Sequence, residues 1–151
     1  MIDPTLVLTD TPDADVRLVI EDGLARHGLE QAGHWNARPL AVVIRDPTTQ
    51  QILGGLHGRT SLGNLFIDIV FVPERLRNCK IGTRILLMAE DEARQRGCQR
   101  AVLCTISFQA PRFYEQRGWR EFGRIPCDPP GTSRVFMTKD LSAGGAPATV
   151  S

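Results

Sequence analysis

Little in this sequence carries a net sign of charge. Lysine and arginine total 18 against 17 aspartate and glutamate, a formal charge of +1. That balance gives no electrostatic case for nucleic acid or an anionic membrane as a partner. Cysteine is sparse as well. Cys79, Cys98, Cys104 and Cys127 form no CxxC pair, and no His/Cys cluster has metal-ligand spacing. Reduced thiols and no bound metal are the expectation. No apolar run approaches the ~20 residues that span a bilayer. The start, Met1-Ile2-Asp3-Pro4-Thr5, does not read as a signal peptide. The expected setting is the cytoplasm, with no membrane partner.

What is present fits one domain: 151 residues, 42% of them hydrophobic. A β-branched and Leu-rich run at 5–9 predicts a first strand. Thr11, Pro12 and Asp13 supply a helix start, and Val16, Val19, Ile20 and Leu24 follow at helical spacing. Gly28 and Gly33 are expected to break this region into a helix and a shorter piece. Strands are predicted at 39–45, 51–60 and 65–72. The turns Asp46-Pro47-Thr48-Thr49 and Leu62-Gly63-Asn64 join them into an antiparallel meander.

The period then becomes helical over 82–96. Glu90 with Arg94 and Glu92 with Arg96 make favourable i,i+4 pairs, and Gly97 supplies a left-handed stop. A buried strand follows at 101–106. Strand, helix and strand over this length imply a right-handed parallel crossover. A short helix is expected at about 109–117, ending at Gly118, then closing strands at 119–125 and 135–138 around Asp128-Pro129-Pro130-Gly131. Residues 142–151 are small and Gly/Ala/Pro-rich, which predicts a disordered tail. The sum is an α/β domain over 1–141 with a mixed sheet, antiparallel at its start with one parallel pair in its middle.

The junction at 71–83 carries the most chemistry. A strand enters it and a helix leaves it, so the first helical N–H groups lack partners and, with the helix dipole, attract an anion. Arg75, Arg77 and Lys80 add positive charge, and Gly82 permits a close approach to the backbone. Judged on this loop alone, a pyrophosphate site and an ordinary polar loop are equally good readings. The P-loop and dinucleotide fingerprints are both absent.

Arg77-Asn78-Cys79-Lys80-Ile81-Gly82 resembles the acyl-CoA pyrophosphate loop, Q/R-x-x-G-x-G/A, of the GNAT superfamily of N-acetyltransferases. The segment Ser107-Phe108-Gln109-Ala110-Pro111-Arg112-Phe113-Tyr114, continuing to Gly118 and Trp119, resembles the family's second block, N-x-x-A-x-x-F-Y-x-x-x-G-F. Both blocks stand in the family's order and spacing, and the match covers about 65–122. Three positions depart from the pattern. Lys80 replaces the first Gly, Ser107 replaces Asn and Trp119 replaces Phe or Tyr. A helical φ would suit Lys80 and bring its ammonium to a phosphate; a positive φ would not suit it.

The resemblance implies a GNAT-like twisted sheet, mostly antiparallel, flanked by helices, whose central parallel strands splay to hold acetyl-CoA as co-substrate, without a metal. It places cofactor contacts at Val70, Phe71, Val72, Arg77, Asn78, Cys79, Lys80, Ile81, Gly82, Thr83, Ser107 and Tyr114. It gives Tyr114, the only Tyr, the role of protonating the leaving thiolate, and the backbone N–H of Val72 that of oxyanion donor. Without the resemblance, Tyr114 reads as a packed core residue. Asp68, a carboxylate in an apolar strand, is the candidate base. A salt bridge to Arg59 or a solvated face explains it equally well.

Trp35, His34, Asp68 and Asp128 are the acceptor-side candidates, each with a simpler reading as packing or as a solvated charge. The activity implied is acetyl transfer to a small-molecule amine such as a polyamine, an amino sugar or an aminoglycoside-like antibiotic. Acetylation of protein N-termini or lysines, and a non-catalytic acyl-CoA-binding module, are the alternatives. A homodimer is a further expectation of the resemblance.

Overall fold

The computed structural model describes residues 3–108 and 110–142. The predicted tail beyond 142 and Gln109 lie outside that range. The chain divides into two compact units, Met1–Trp35 and Asn36–Ser151.

The first unit is built on helix α1 (Ala14–Ala32). Gly33 ends it at φ 80°, its N–H bonded to the Leu29 carbonyl at 3.0 Å. Gly28 does not break the helix. The indole of Trp35 lies against it, where a Cβ would come within 2.2 Å of the ring. The glycine therefore serves close packing, at a helix cost of about 1 kcal/mol. Residues 5–9 form no strand: Leu6, Val7 and Leu8 are 80–100% exposed. A β-branched run becomes a strand only when a neighbour takes up its backbone groups, and none among the described residues does.

The second unit is a six-stranded sheet in the order β1-β2-β3-β4-β6-β5. Its strands are β1 (Arg38–Arg45), β2 (Ile52–Ser61), β3 (Asn64–Phe71), β4 (Arg100–Ile106), β5 (Arg120–Cys127) and β6 (Thr132–Asp140). β1 to β3 form the expected antiparallel meander, and β3 pairs with β4 in parallel. The closing hairpin inserts β6 between β4 and β5. The fold is thus a mixed, mostly antiparallel sheet flanked by helices.

Alternation assigns the faces. Leu65, Ile67, Ala101, Leu103, Val135 and Met137 are buried on one face. They join Ile85, Leu86, Ala89 and Ala93 of helix α2 (Ile81–Gln95) in a single core cluster. α2 ends as its Gly97 requires. Gly97 takes φ 87°, and the N–H groups of Gly97 and Cys98 reach the Arg94 and Ala93 carbonyls, both at 2.9 Å.

α2 also carries Glu90, fully buried. One of its carboxylate oxygens accepts from Lys139 Nζ at 2.8 Å, the other from Trp119 Nε1 at 3.1 Å. Lys139 donates in addition to the Arg117 carbonyl at 2.8 Å. A fully partnered buried carboxylate thereby ties α2, β6 and the start of β5 together. No helix among the described residues is long and apolar enough to cross a membrane.

Candidate active site

The β3–β4 ladder runs only from Asn64–Arg100 to Ile67–Leu103. Beyond it, 69–71 pair with β2 alone and 104–106 with β6 alone. The two parallel strands part, and a cleft of about 820 Å³ opens between them. A bulge accompanies the parting. His57 faces Ile69 and Gly58 faces Ile67, so Asp68 is an extra residue in β3. Asp68 and Ile69 are both exposed on the face away from α2.

The cleft's α2 side is electropositive. A 3-10 helix (Glu74–Cys79) follows β3 and delivers the chain to the first turn of α2. No side chain caps that turn, so its leading N–H groups stay available to an anion. Arg77 and Lys80 line the cleft there, with Asn78, Gly82 and Thr83. Arg77 Nε bonds the Val72 carbonyl at 2.9 Å, which holds its guanidinium across the end of β3. Lys80 has φ 60° and ψ 20°. The unsuitable, positive φ is therefore the one observed, at the position where the family pattern has Gly.

Helix α3 (Pro111–Glu115) forms the other wall and is shorter than the sequence predicts. Arg117 fastens it to α2: Nε donates to Thr83 Oγ1 and Nη1 to the Phe113 carbonyl, each at 2.8 Å. The guanidinium also lies 3.9 Å from the centre of the Phe113 ring. Tyr114 is 8% exposed, with its ring edge-on to Phe113 and Trp119 at centroid distances of 5.1 and 5.9 Å. Its hydroxyl has no protein partner among the described residues, yet is not sealed off. It opens on the cleft that Tyr114 lines. Burial pushes the phenol above its ordinary value of 10.0.

The structure gathers Val70, Phe71, Val72, Arg77, Asn78, Lys80, Gly82, Thr83, Tyr114 and Asp68 around one cleft. Cys79 and Ile81 fall between lining residues without lining it themselves. The Ser107 hydroxyl accepts from the Ser133 N–H at 2.9 Å, so it ties β4 to β6. Asp68 Oδ1 accepts from Arg59 Nη1 at 2.9 Å, the pairing that competes with a role as base. Asp128 is exposed in the β5–β6 turn, outside the cleft lining. His34 and Trp35 belong to the first unit, where Trp35 packs on Gly28.

Sequence reasoning overlooked Arg117, Phe113 and Arg134, all cleft residues. For Arg117 a signal existed: it follows Phe113 by four residues across the short helix. Arg134 left none, because only the strand order brings β6 beside β4.

Comparison with known proteins agrees with this geometry. The model of the acetyltransferase (GNAT) family matches residues 15–119. An acetyltransferase of Agrobacterium fabrum is 36% identical over 133 residues, covering 88% of this chain and 96% of the relative. Blasticidin-S acetyltransferase of Streptomyces morookaense is 32% identical over 120 residues, 78% and 88% of the two chains. A crystal structure of an acetyltransferase from Agrobacterium tumefaciens superposes with a TM-score of 0.79 at 35% identity, covering 91% of this chain and 99% of that one.

Proposed function

The chain belongs to the GNAT family of acetyltransferases, and from that premise we propose that it moves the acetyl group of acetyl-CoA onto a primary amine of a small molecule. It is an acetyl-CoA-dependent acyltransferase; the acceptor and the residue roles are the proposal. One observation carries the reading. The uncapped start of α2, with Arg77 and Lys80, and the Tyr114 hydroxyl open on the same cleft. Phosphates held at the first and a thioester near the second fit one extended ligand.

In this reading the α2 N–H groups, Lys80 and Arg77 hold the pyrophosphate. The Val72 N–H receives the developing oxyanion. The neutral amine attacks the thioester carbon, a C–N bond forms and the C–S bond breaks. Tyr114 gives its proton to the departing thiolate. The amine proton leaves to water or to Asp68 Oδ2, since Oδ1 is engaged by Arg59. Asp128 stays the acceptor-side acid of the proposal. Polyamines, amino sugars and aminoglycoside-like antibiotics are the acceptor classes, and the relative named for blasticidin S supports a small antibiotic. A cytoplasmic homodimer belongs to the same reading, by resemblance, and light scattering tests the dimer.

A screen of thiol release from acetyl-CoA over amines, antibiotics and peptides tests the acceptor class. Turnover with small amines is expected; turnover with peptides alone would replace this reading by protein acetylation. Tyr114→Phe should lower kcat at least tenfold and leave acetyl-CoA affinity within twofold. Because the phenol is raised above 10.0, it holds its proton through neutral and mildly alkaline pH. kcat should therefore not fall through Tyr114 ionisation until pH exceeds that value. An unchanged kcat in the Phe variant removes the assigned role.

A further inference from the structure

The cleft passes through the sheet, and its charges differ on the two sides. On the α2 side Arg77, Lys80 and Arg117 stand where phosphates would lie, and Arg77 and Arg117 already bond protein groups. On the reverse side the lining includes Asp68, Cys104 and Arg134. Face assignment follows from alternation. Val135 and Met137 are wholly buried against the α2-side core, so Arg134 and Phe136 point the other way. Asp68 lies on that reverse face with Arg59, which pairs with it and stacks 4.6 Å from the Phe66 ring centre.

Asp68 is thus matched by Arg59, whereas the Arg134 guanidinium is exposed and has no hydrogen bond or ion pair among the described residues. Among the described residues, Asp68 and Arg134 of the reverse mouth and the Arg59 that pairs with Asp68 sum to one positive charge. That is the wrong field for a polycation and the right one for an acceptor with an acidic group.

The geometry points to Arg134 as a specificity residue that binds a carboxylate on the acceptor, so that the preferred substrate class is an amine that also bears a carboxylate. The inference rests on the acetyl-transfer reading and narrows its acceptor. Arg134 sits on β6, directly across from Ile106 of β4, while the amine must enter between β3 and β4. The carboxylate therefore lies one to two strand spacings from the amine, roughly 5–10 Å. Planar, two-point recognition by guanidinium suits a carboxylate, and a lysine reproduces the charge without the fork. The cations near α2 leave Arg134 unneeded for the cofactor phosphates.

The test uses the full chain with matched acceptors, ω-amino acids and their methyl amides, in the thiol-release assay. The parent enzyme should prefer the carboxylates about tenfold or more in kcat/KM. Arg134→Gln should erase that preference, chiefly by raising KM for the carboxylates, with acetyl-CoA affinity unchanged by calorimetry. Arg134→Lys should restore part of it. Equal use of acid and amide by the parent overturns the inference and leaves acetyl transfer standing. Loss of acetyl-CoA affinity in Arg134→Gln also overturns it, by assigning Arg134 to the cofactor. Acetyl-CoA binding with no amine acetylated overturns both the inference and the reading beneath it.

Discussion

Lys80 is where the loop's two demands conflict, and replacing it separates them. Its φ of 60° and ψ of 20° are left-handed, a conformation that costs an L side chain about 1–2 kcal/mol. Lys80→Gly removes that cost but adds back about 0.5–1 kcal/mol of backbone entropy. A gain of about 0–1.5 kcal/mol is expected. Lys80→Ala keeps the strain and should stay within ~0.5 kcal/mol of the parent. The lysine is exposed and its side chain makes no hydrogen bond or ion pair among the described residues, so neither change breaks a polar protein interaction.

Both variants lose an ammonium that, in the proposed reading, faces the cofactor phosphates. A hydrogen bond to a charged group is worth about 1.5–3 kcal/mol. Solvent exposure reduces that to roughly 0.5–1 kcal/mol, or about two- to fivefold in Kd. Urea unfolding reads the first quantity and calorimetric titration with acetyl-CoA the second. Raising the salt should weaken the parent more than either variant. Unchanged affinity in Lys80→Ala would refute the phosphate role. A Gly variant less stable than the Ala variant would refute the strain.

Glu90 and Lys139 offer a test of packing. Removing either alone, as Glu90→Leu or Lys139→Met, should cost about 3–5 kcal/mol in urea unfolding, because the partner charge is left buried. The double variant should recover most of it, and additive costs would contradict the pairing. Cys104 is exposed in the cleft and Cys98 is buried with its thiol pushed up by that burial. Alkylation read by peptide mass should therefore modify Cys104 before Cys98. The reverse order would contradict that difference in exposure.

Much of this site is legible in the sequence because its parts are local. The strand alternation at 65–67, the turn residues and the Gly97 stop are each set by neighbours along the chain. The order of the two quoted blocks does the same for the α2 loop and Tyr114. What is not legible depends on partners distant in sequence. Residues 5–9 have strand composition but no neighbouring strand among the described residues. Gly28 looks like a breaker until Trp35 is seen to cover it. The bulge at Asp68 and the pairing with Arg59 exist only in the β2–β3 register. Arg134 reaches the cleft only because β6 lies between β4 and β5. Lys80 combines both kinds: the family pattern marks the position as Gly, and the backbone keeps the glycine-like φ although the residue changed.

The central claim is that the parted strands and the start of α2 form an acetyl-CoA site. Titration of the purified chain with acetyl-CoA by calorimetry tests it most directly. The account predicts saturable binding of one acetyl-CoA per chain, weakened by salt and by Lys80→Ala. No saturable heat up to millimolar acetyl-CoA would contradict it.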